Sequence, residues 1–132
     1  MHGTCHITDE LDYLVGSGFE PYGDVLMDAV ECGRRMTLDD HADLAIVLTG
    51  DLRAAWRCGF VVELSGPTVI LQADVRNTCA YATRDLRMLS MTYDVCASVL
   101  KCHRAFRSLF FDALTARIQA LAAVKTGPAV LH

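Results

Sequence analysis

Apolar positions near the start of the chain repeat at helical spacing. A first helical pattern begins at Glu10–Leu14 and breaks at Gly16-Ser17-Gly18. The spacing then resumes over Val25–Val30, where the apolar residues share one helical face. Thr37 and Asp40 resemble a capping box and predict a further helix that runs towards Gly50. The segment Leu44–Leu48 inside it is apolar enough to be a buried strand instead.

The centre of the chain predicts a β-hairpin. Gly59–Leu64 and Thr68–Ala73 are rich in β-branched and other apolar residues, and the turn-forming sequence Ser65-Gly66-Pro67 lies between them. A helix that starts at Asp74 or Asn77 is then predicted as far as about Leu89.

Two different apolar periods predict the last elements. Ser90–Leu100 alternates between apolar and polar residues, which is typical of a strand with one buried face. Phe106–Leu121 carries an apolar stripe at helical spacing, with Phe111 directed towards the flank of the buried face. The predicted fold is a single α+β domain over residues 1–132, with helices on a mainly antiparallel sheet, a central β-hairpin and a loose tail from about residue 126.

Composition narrows the class of protein. The chain has 132 residues, of which 52% are apolar, so a single well-filled domain is expected and extensive disorder is excluded. No apolar run approaches the roughly 20 residues that a membrane-spanning helix needs, and no secretion signal is visible. The apolar content exceeds the usual range of about 45–50%. We therefore expect a stable dimer that buries the surplus apolar surface.

Charge is distributed unevenly along the chain. Residues 1–66 contain 12 acidic and 4 basic residues, a charge of −8, whereas residues 67–132 contain 4 acidic and 8 basic residues, a charge of +4. An overall charge of −4 argues against direct nucleic-acid binding, which normally requires a basic surface. The opposite charges of the two halves of the chain suit head-to-tail contact between copies.

Candidate catalytic or metal-binding groups are scattered. The six cysteines form no CxxC pair and are interpreted as reduced thiols packed as small hydrophobes. Asp39–Asp43 is interpreted as the acidic first turn of a helix. The doublets Cys5-His6 and Cys102-His103 could form a metal site only if the chain ends met. The sequence therefore predicts no metal, no cofactor and no catalytic site; a small thiol- or carboxylate-based enzyme is the alternative.

Three blocks resemble the adenovirus proteins encoded by the third open reading frame of early region four. The first is Leu11–Val30, with Gly18-Phe19 and Asp24–Val30. The second is the strand Val69–Arg76, which ends in Asp74-Val75-Arg76. The third is Ala82–Val99, in which a helix is followed by a strand.

This resemblance implies a non-enzymatic viral protein of the host nucleus. Members of that family dimerise and assemble further, disrupt promyelocytic leukaemia bodies, and sequester host antiviral, tumour-suppressor and DNA-damage proteins. The partners would be other copies of the chain and host nuclear proteins, with no membrane. The alternative is a small dimeric adaptor or chaperone, located in the cytoplasm.

Six residues are candidates for assembly or partner binding. By the resemblance, Ser90 lies at a helix-to-strand junction where the family has a polar assembly residue, and Asp112 lies near an acidic residue of the assembly segment. Asp74 and Arg76 belong to the shared strand end. Phe111 is the apolar contact expected to support higher assembly, and Arg107 contributes to the basic surface around it.

Overall fold

The computed structural model describes Gly23 and residues 25–130, with side chains described as far as residue 123. Seven strands and three helices occupy this part of the chain. The strands are β1 (Leu26–Val30), β2 (Leu44–Thr49), β3 (Asp51–Trp56), β4 (Val61–Ser65), β5 (Thr68–Leu71), β6 (Thr78–Ala82) and β7 (Leu86–Met91). The helices are α1 (Gln72–Asn77), α2 (Tyr93–Cys102) and α3 (Arg104–Val130). None of the described helices is both long and apolar enough to cross a bilayer.

The strands form two antiparallel sheets. One sheet has the order β1-β7-β2-β5 and the other the order β4-β3-β6. Gly50 joins them between β2 and β3, with φ of +100°, a value that favours glycine. A Cβ at this position would lie 2.1 Å from the carbonyl oxygen of Asp85. The crossing between the sheets therefore depends on a residue without a side chain.

Both faces of β2 are buried, and successive residues supply two different cores. Ala45 and Val47 belong to the apolar core shared by the two sheets. Leu44 and Ile46 belong to a second core on the opposite face of the first sheet, beneath α2 and α3. A strand buried on both faces has no polar alternation, which explains why Leu44–Leu48 is a continuous apolar run.

The helices cover the first sheet and one end of the second. Thr92 caps α2, its side chain accepting a hydrogen bond from the Val95 amide at 3.2 Å. The long helix α3 packs on β5 and β4. Phe106 is fully buried in the second core, and Leu121, further along α3, packs against the core between the sheets. The helix α3 therefore contacts both cores.

The predicted α+β class and the C-terminal helix are confirmed, and so is the strand alternative for Leu44–Leu48. The helix predicted over Val25–Val30 is wrong, because Leu26–Val30 pairs with β7 as a strand. The predicted helix from Thr37 to Gly50 is also wrong. The first predicted helix, at Glu10–Leu14, lies outside the described residues.

The predicted hairpin consists of two real strands that do not pair with each other. β4 pairs with β3 and β5 pairs with β2, so the turn at Gly66-Pro67 passes from one sheet to the other. The structure instead forms a hairpin from β3 and β4. Hydrophobic pattern locates a strand but not its partner, because pairing is a long-range property.

Two predictions in the second half exchange helix and strand. The helix beginning near Asp74 ends at Asn77, and β6 and β7 follow it. The strand predicted over Ser90–Leu100 is mostly α2. The buried residues Val95, Cys96 and Val99 follow helical spacing within what also looks like alternation.

Candidate functional site

The structure distributes the six predicted assembly residues over three elements. Ser90 lies inside β7, not at a helix-to-strand junction as predicted, and its buried hydroxyl donates to Asp28 Oδ2 at 3.4 Å. Asp74 and Arg76 lie in α1, not at the end of a strand. The remaining three, Arg107, Phe111 and Asp112, lie on α3.

The guanidinium of Arg107 closes the end of the preceding helix. Its Nε donates to the Leu100 carbonyl at 2.9 Å and its Nη2 to the Lys101 carbonyl at 3.4 Å. These carbonyls lie in the last turn of α2, where backbone acceptors lack helical partners. In this structure Arg107 therefore stabilises the junction between α2 and α3.

Arg117 and Asp74 connect α3 to α1 and β5. Arg117 Nη1 donates to Asp74 Oδ2 at 2.5 Å and to the Val69 carbonyl at 3.2 Å, and Nη2 donates to Asp74 Oδ1 at 3.2 Å. Only 14% of the Arg117 side chain and 13% of the Asp74 side chain are exposed. We call Arg117, Asp74 and Val69 the α3 anchor. Because 43 residues separate the two charges in sequence, no local pattern indicated this pair.

A cavity of about 380 Å³ lies between α3 and the β4–β5 connection. We call it the seam cavity. The threonine in its wall, Thr68, is completely buried, and its hydroxyl has no hydrogen-bond partner. The residues that line the cavity are Glu63, Leu64, Ser65, Thr68, Ala116, Gln119 and Ala120.

The opposite face of α3 is exposed and partly apolar. Phe111 is 56% exposed and Ile118 is 59% exposed. They are seven residues apart, so two helical turns place them on one side of the helix. Exposed residues continue this line at alternating spacings of three and four. We call the set the outer stripe: Ser108, Phe111, Thr115, Ile118 and Ala122.

Two further cavities lie beside the 39–43 loop. One, of about 480 Å³, is lined by Arg76 together with Asp40 and Asp43. The other, of about 280 Å³, is lined by residues that include His41 and Ser90. Among the described residues, no three histidine, cysteine or acidic side chains converge on a possible metal position. The predicted acidic helical turn at Asp39–Asp43 is wrong, since these residues form a loop that precedes β2.

The cysteines differ in burial. The five within the described residues are free thiols, but only Cys96 is buried, whereas Cys32, Cys58, Cys79 and Cys102 are exposed. The prediction that the cysteines pack as small hydrophobes is therefore wrong for these four. Burial raises the pKa of Cys96 to about 11, because the thiolate is poorly solvated there. At neutral pH this thiol is protonated and lacks the reactivity of a catalytic cysteine.

Comparison with known proteins identifies the fold but not a sequence family. No family model matches the chain, and no curated protein matches it. The heme domain of CooA from Carboxydothermus hydrogenoformans matches with a TM-score of 0.61 at 14% identity, over 94% of this chain and 96% of that domain. A mutant of CooA matches with a TM-score of 0.65 at 13% identity, over 92% of this chain and 83% of the other.

Longer proteins share the same fold over part of their length. The imidazole-bound form of CooA, a CO-dependent transcription factor, matches with a TM-score of 0.53 at 12% identity over 92% of this chain. A cAMP-binding acyltransferase from Mycobacterium smegmatis matches with a TM-score of 0.52 at 14% identity over 70% of this chain. The chain spans 55% of the length of the first and 33% of the second.

These matches overturn the predicted viral function. The fold is one that bacterial regulators use, so the interpretation as an adenovirus-like early protein that disrupts promyelocytic leukaemia bodies in the host nucleus is wrong. Two of the elements expected within the resembling blocks are also wrong. Leu26–Val30 is a strand where a helix was expected, and within Ala82–Val99 the strand comes first and the helix second. Nothing supports host nuclear proteins as partners.

Neither the seam cavity nor the cavity beside Arg76 fits heme or a cyclic nucleotide. Heme needs an apolar slot and an axial ligand such as histidine or cysteine, and neither residue type lines the seam cavity. A phosphodiester needs cationic or amide donors that are free to bind it. Arg117 is already paired with Asp74, and Arg76 shares its cavity with Asp40 and Asp43.

Proposed function

We propose that this chain is the effector-responsive domain of a regulatory protein. In this role the β-sandwich holds a small molecule, and α3 communicates the bound state to a second copy of the chain. The fold shared with CooA supports a regulatory role. The observation that carries the proposal is the division of α3 into one face buried on the sandwich and one exposed, partly apolar face.

The outer stripe suits pairing with an identical helix. Its members are spaced three and four residues apart, which is the spacing of the contact seam between two paired helices. Several residues between them, such as Ala113 and Leu121, are buried or half-buried against the sandwich, whereas Asp112 and Gln119 are exposed. The stripe therefore remains available after the domain has folded, and a second copy would cover Phe111 and Ile118.

The α3 anchor connects the sandwich to this stripe. Arg117 lies between Ala116, which lines the seam cavity, and Ile118, which belongs to the outer stripe. A change in the cavity that moved Arg117 would therefore also reposition Ile118, because both side chains are fixed to the same turn of helix. The proposed role is non-catalytic.

Sedimentation velocity tests the pairing. The wild-type chain is expected to sediment as a dimer, and Ile118→Lys is expected to sediment as a folded monomer because the stripe would carry an uncompensated charge. Ala123→Lys is the matched control, since it adds the same charge at an exposed α3 position outside the stripe. A wild-type monomer at micromolar concentration, or an Ile118→Lys dimer, would contradict the proposal.

A further inference from the structure

Two opposite charges flank the outer stripe near its start. Arg107 and Asp112 are both exposed on α3, Arg107 directly before Ser108 and Asp112 directly after Phe111. The spacing of the stripe makes Ser108 an a position and Phe111 a d position of a heptad, so Arg107 occupies g and Asp112 occupies e. Charged side chains at e and g lie beside the seam of two paired helices and determine partner choice and orientation.

Neither charge can be neutralised along its own helix. Ion pairs within a helix join residues three or four positions apart. For Arg107 these positions contain no acidic residue, and for Asp112 they contain no basic residue but Ser108, Leu109, Thr115 and Ala116. No ion pair between described residues involves either side chain. Both charges are therefore available to a second chain.

The guanidinium of Arg107 can bind a carboxylate without leaving the end of α2. Its contacts with the Leu100 and Lys101 carbonyls use Nε and one hydrogen of Nη2. Its Nη1 has no hydrogen-bond partner among the described residues, and a guanidinium can donate from several of its N–H groups at once. Since the side chain is exposed, a carboxylate of another chain can approach it.

A parallel pair of α3 helices in register brings the two charges together. In such a pair, the g residue of one heptad lies beside the e residue of the next heptad in the other helix, so Arg107 of one copy meets Asp112 of the second. The parallel arrangement also places Phe111 against Phe111 and Ile118 against Ile118, in apolar layers of their own. In an antiparallel pair, a positions face d positions, and both side chains would lie against Ser108, Thr115 or Ala122.

The first turn of α3 limits the paired segment. Arg104 begins the helix at the d position before Ser108. In a parallel pair the Arg104 side chains of two copies would repel each other, so the helices are expected to diverge before Ser108. The charges at Arg107 and Asp112 therefore lie at the first layers that can pair.

We infer that Arg107 of each copy forms an ion pair with Asp112 of the other, and that these two reciprocal pairs select an identical, parallel helix as the partner of the outer stripe. This inference rests on the proposed function and adds the residues that choose the partner. A second copy supplies both complementary charges, whereas another protein would need the same two charges at the same heptad positions.

Charge changes at Asp112 test the inference by sedimentation equilibrium. Asp112→Lys turns two attractions into two repulsions and is expected to raise the dimer Kd about tenfold, with a smaller rise for Asp112→Asn. High salt should reduce these differences, because the charges are exposed. Asp40→Lys, which makes the same charge change at an exposed position outside α3, is the matched control. A dimer Kd unchanged by Asp112→Lys would overturn the inference.

A mixture of two charge-reversed variants identifies the partner residues. Arg107→Glu and Asp112→Lys each repel their own copies, but both contacts between the two variants are attractive. Native mass spectrometry of an equimolar mixture is therefore expected to show mostly dimers with one copy of each variant. Random exchange, in which such mixed dimers make up about half of the total, would overturn the inference. Asp112→Lys alone keeps the inference testable if Arg107→Glu, which also loses its bonds to α2, fails to fold.

The same measurements separate this inference from the proposed function. A wild-type dimer whose variants exchange at random leaves the pairing of α3 intact and overturns only the role of Arg107 and Asp112. A wild-type monomer at micromolar concentration overturns both.

Discussion

Neutralising Asp74 provides a quantitative test of the α3 anchor. Asp74→Asn preserves the size of the side chain and leaves an oxygen that can accept from the Leu71 amide, now 2.9 Å from Oδ2. It removes the charge that is paired with Arg117. Because both side chains are nearly buried, the guanidinium would be left without a compensating partner.

The expected loss of stability follows from this burial. Breaking a buried ion pair by removing one partner costs about 3–5 kcal/mol. The Asn oxygen and the Val69 carbonyl continue to accept from Arg117, so we expect a loss at the lower end of this range, about 3 kcal/mol. Total unfolding free energies are about 5–15 kcal/mol for single domains. The variant is therefore expected to fold with a clearly reduced denaturation midpoint.

Urea denaturation followed by circular dichroism measures this loss. Glu31→Gln is the matched control, because it makes the same carboxylate-to-amide change in the exposed pair of Glu31 with Arg34, for which little or no effect is expected. Arg117→Met and the double variant complete a mutant cycle that isolates the pair interaction. A loss below about 0.5 kcal/mol for Asp74→Asn, or additive effects in the cycle, would refute the anchor.

Further predictions concern backbone, packing and thiol chemistry. Gly50→Ala is expected to lower the free energy of unfolding by more than about 3 kcal/mol, because the new Cβ would clash with the backbone of Asp85, whereas Gly33→Ala, at φ of +88° with open space, should lower it by about 1–2 kcal/mol. Equal losses for the two variants in urea titrations would refute this. Phe106→Ala should destabilise the fold by about 3–5 kcal/mol, and Phe111→Ala should leave the Tm unchanged while weakening self-association in light scattering. At pH 8 about one Cys96 in a thousand is thiolate, so mass spectrometry after brief alkylation should find the four exposed described cysteines modified and Cys96 unmodified. Because burial raises the pKa of Cys96 from its ordinary value of 9.0 to about 11, its contribution to stability is present below about pH 9 and is lost as the pH rises towards 11; a native Cys96 alkylated as fast as the others would contradict this.

The sequence predicted the fold class better than the individual elements. The long apolar stripe after Phe106 is strongly periodic, and its helix is confirmed. The ambiguous segment Leu44–Leu48 is a strand because both of its faces are buried, which periodicity alone cannot distinguish from a helix. The errors at Val25–Val30 and Ser90–Leu100 arose because these short segments fit both the helical period and the strand period.

The candidate site could be predicted only in part. Helical spacing predicts that Phe111 lies at the flank of the buried face of α3 but leaves open whether the same chain covers it, and in the structure it is 56% exposed. The anchor could not be found in this way, because Asp74 and Arg117 meet only through the packing of α3 on β5. The seam cavity was equally hidden, since an unpaired hydroxyl at Thr68 is a property of its three-dimensional surroundings.

The central claim is that the way α3 is held on the two sheets controls the pairing of this helix with α3 of a second copy. Sedimentation equilibrium of wild-type protein and Asp74→Asn, at a temperature where both are folded, tests it most directly. The account predicts that loss of the anchor raises the dimer Kd about tenfold, equivalent to about 1.4 kcal/mol, although Asp74 lies outside the outer stripe. Equal dimer Kd values for the two folded proteins would contradict it.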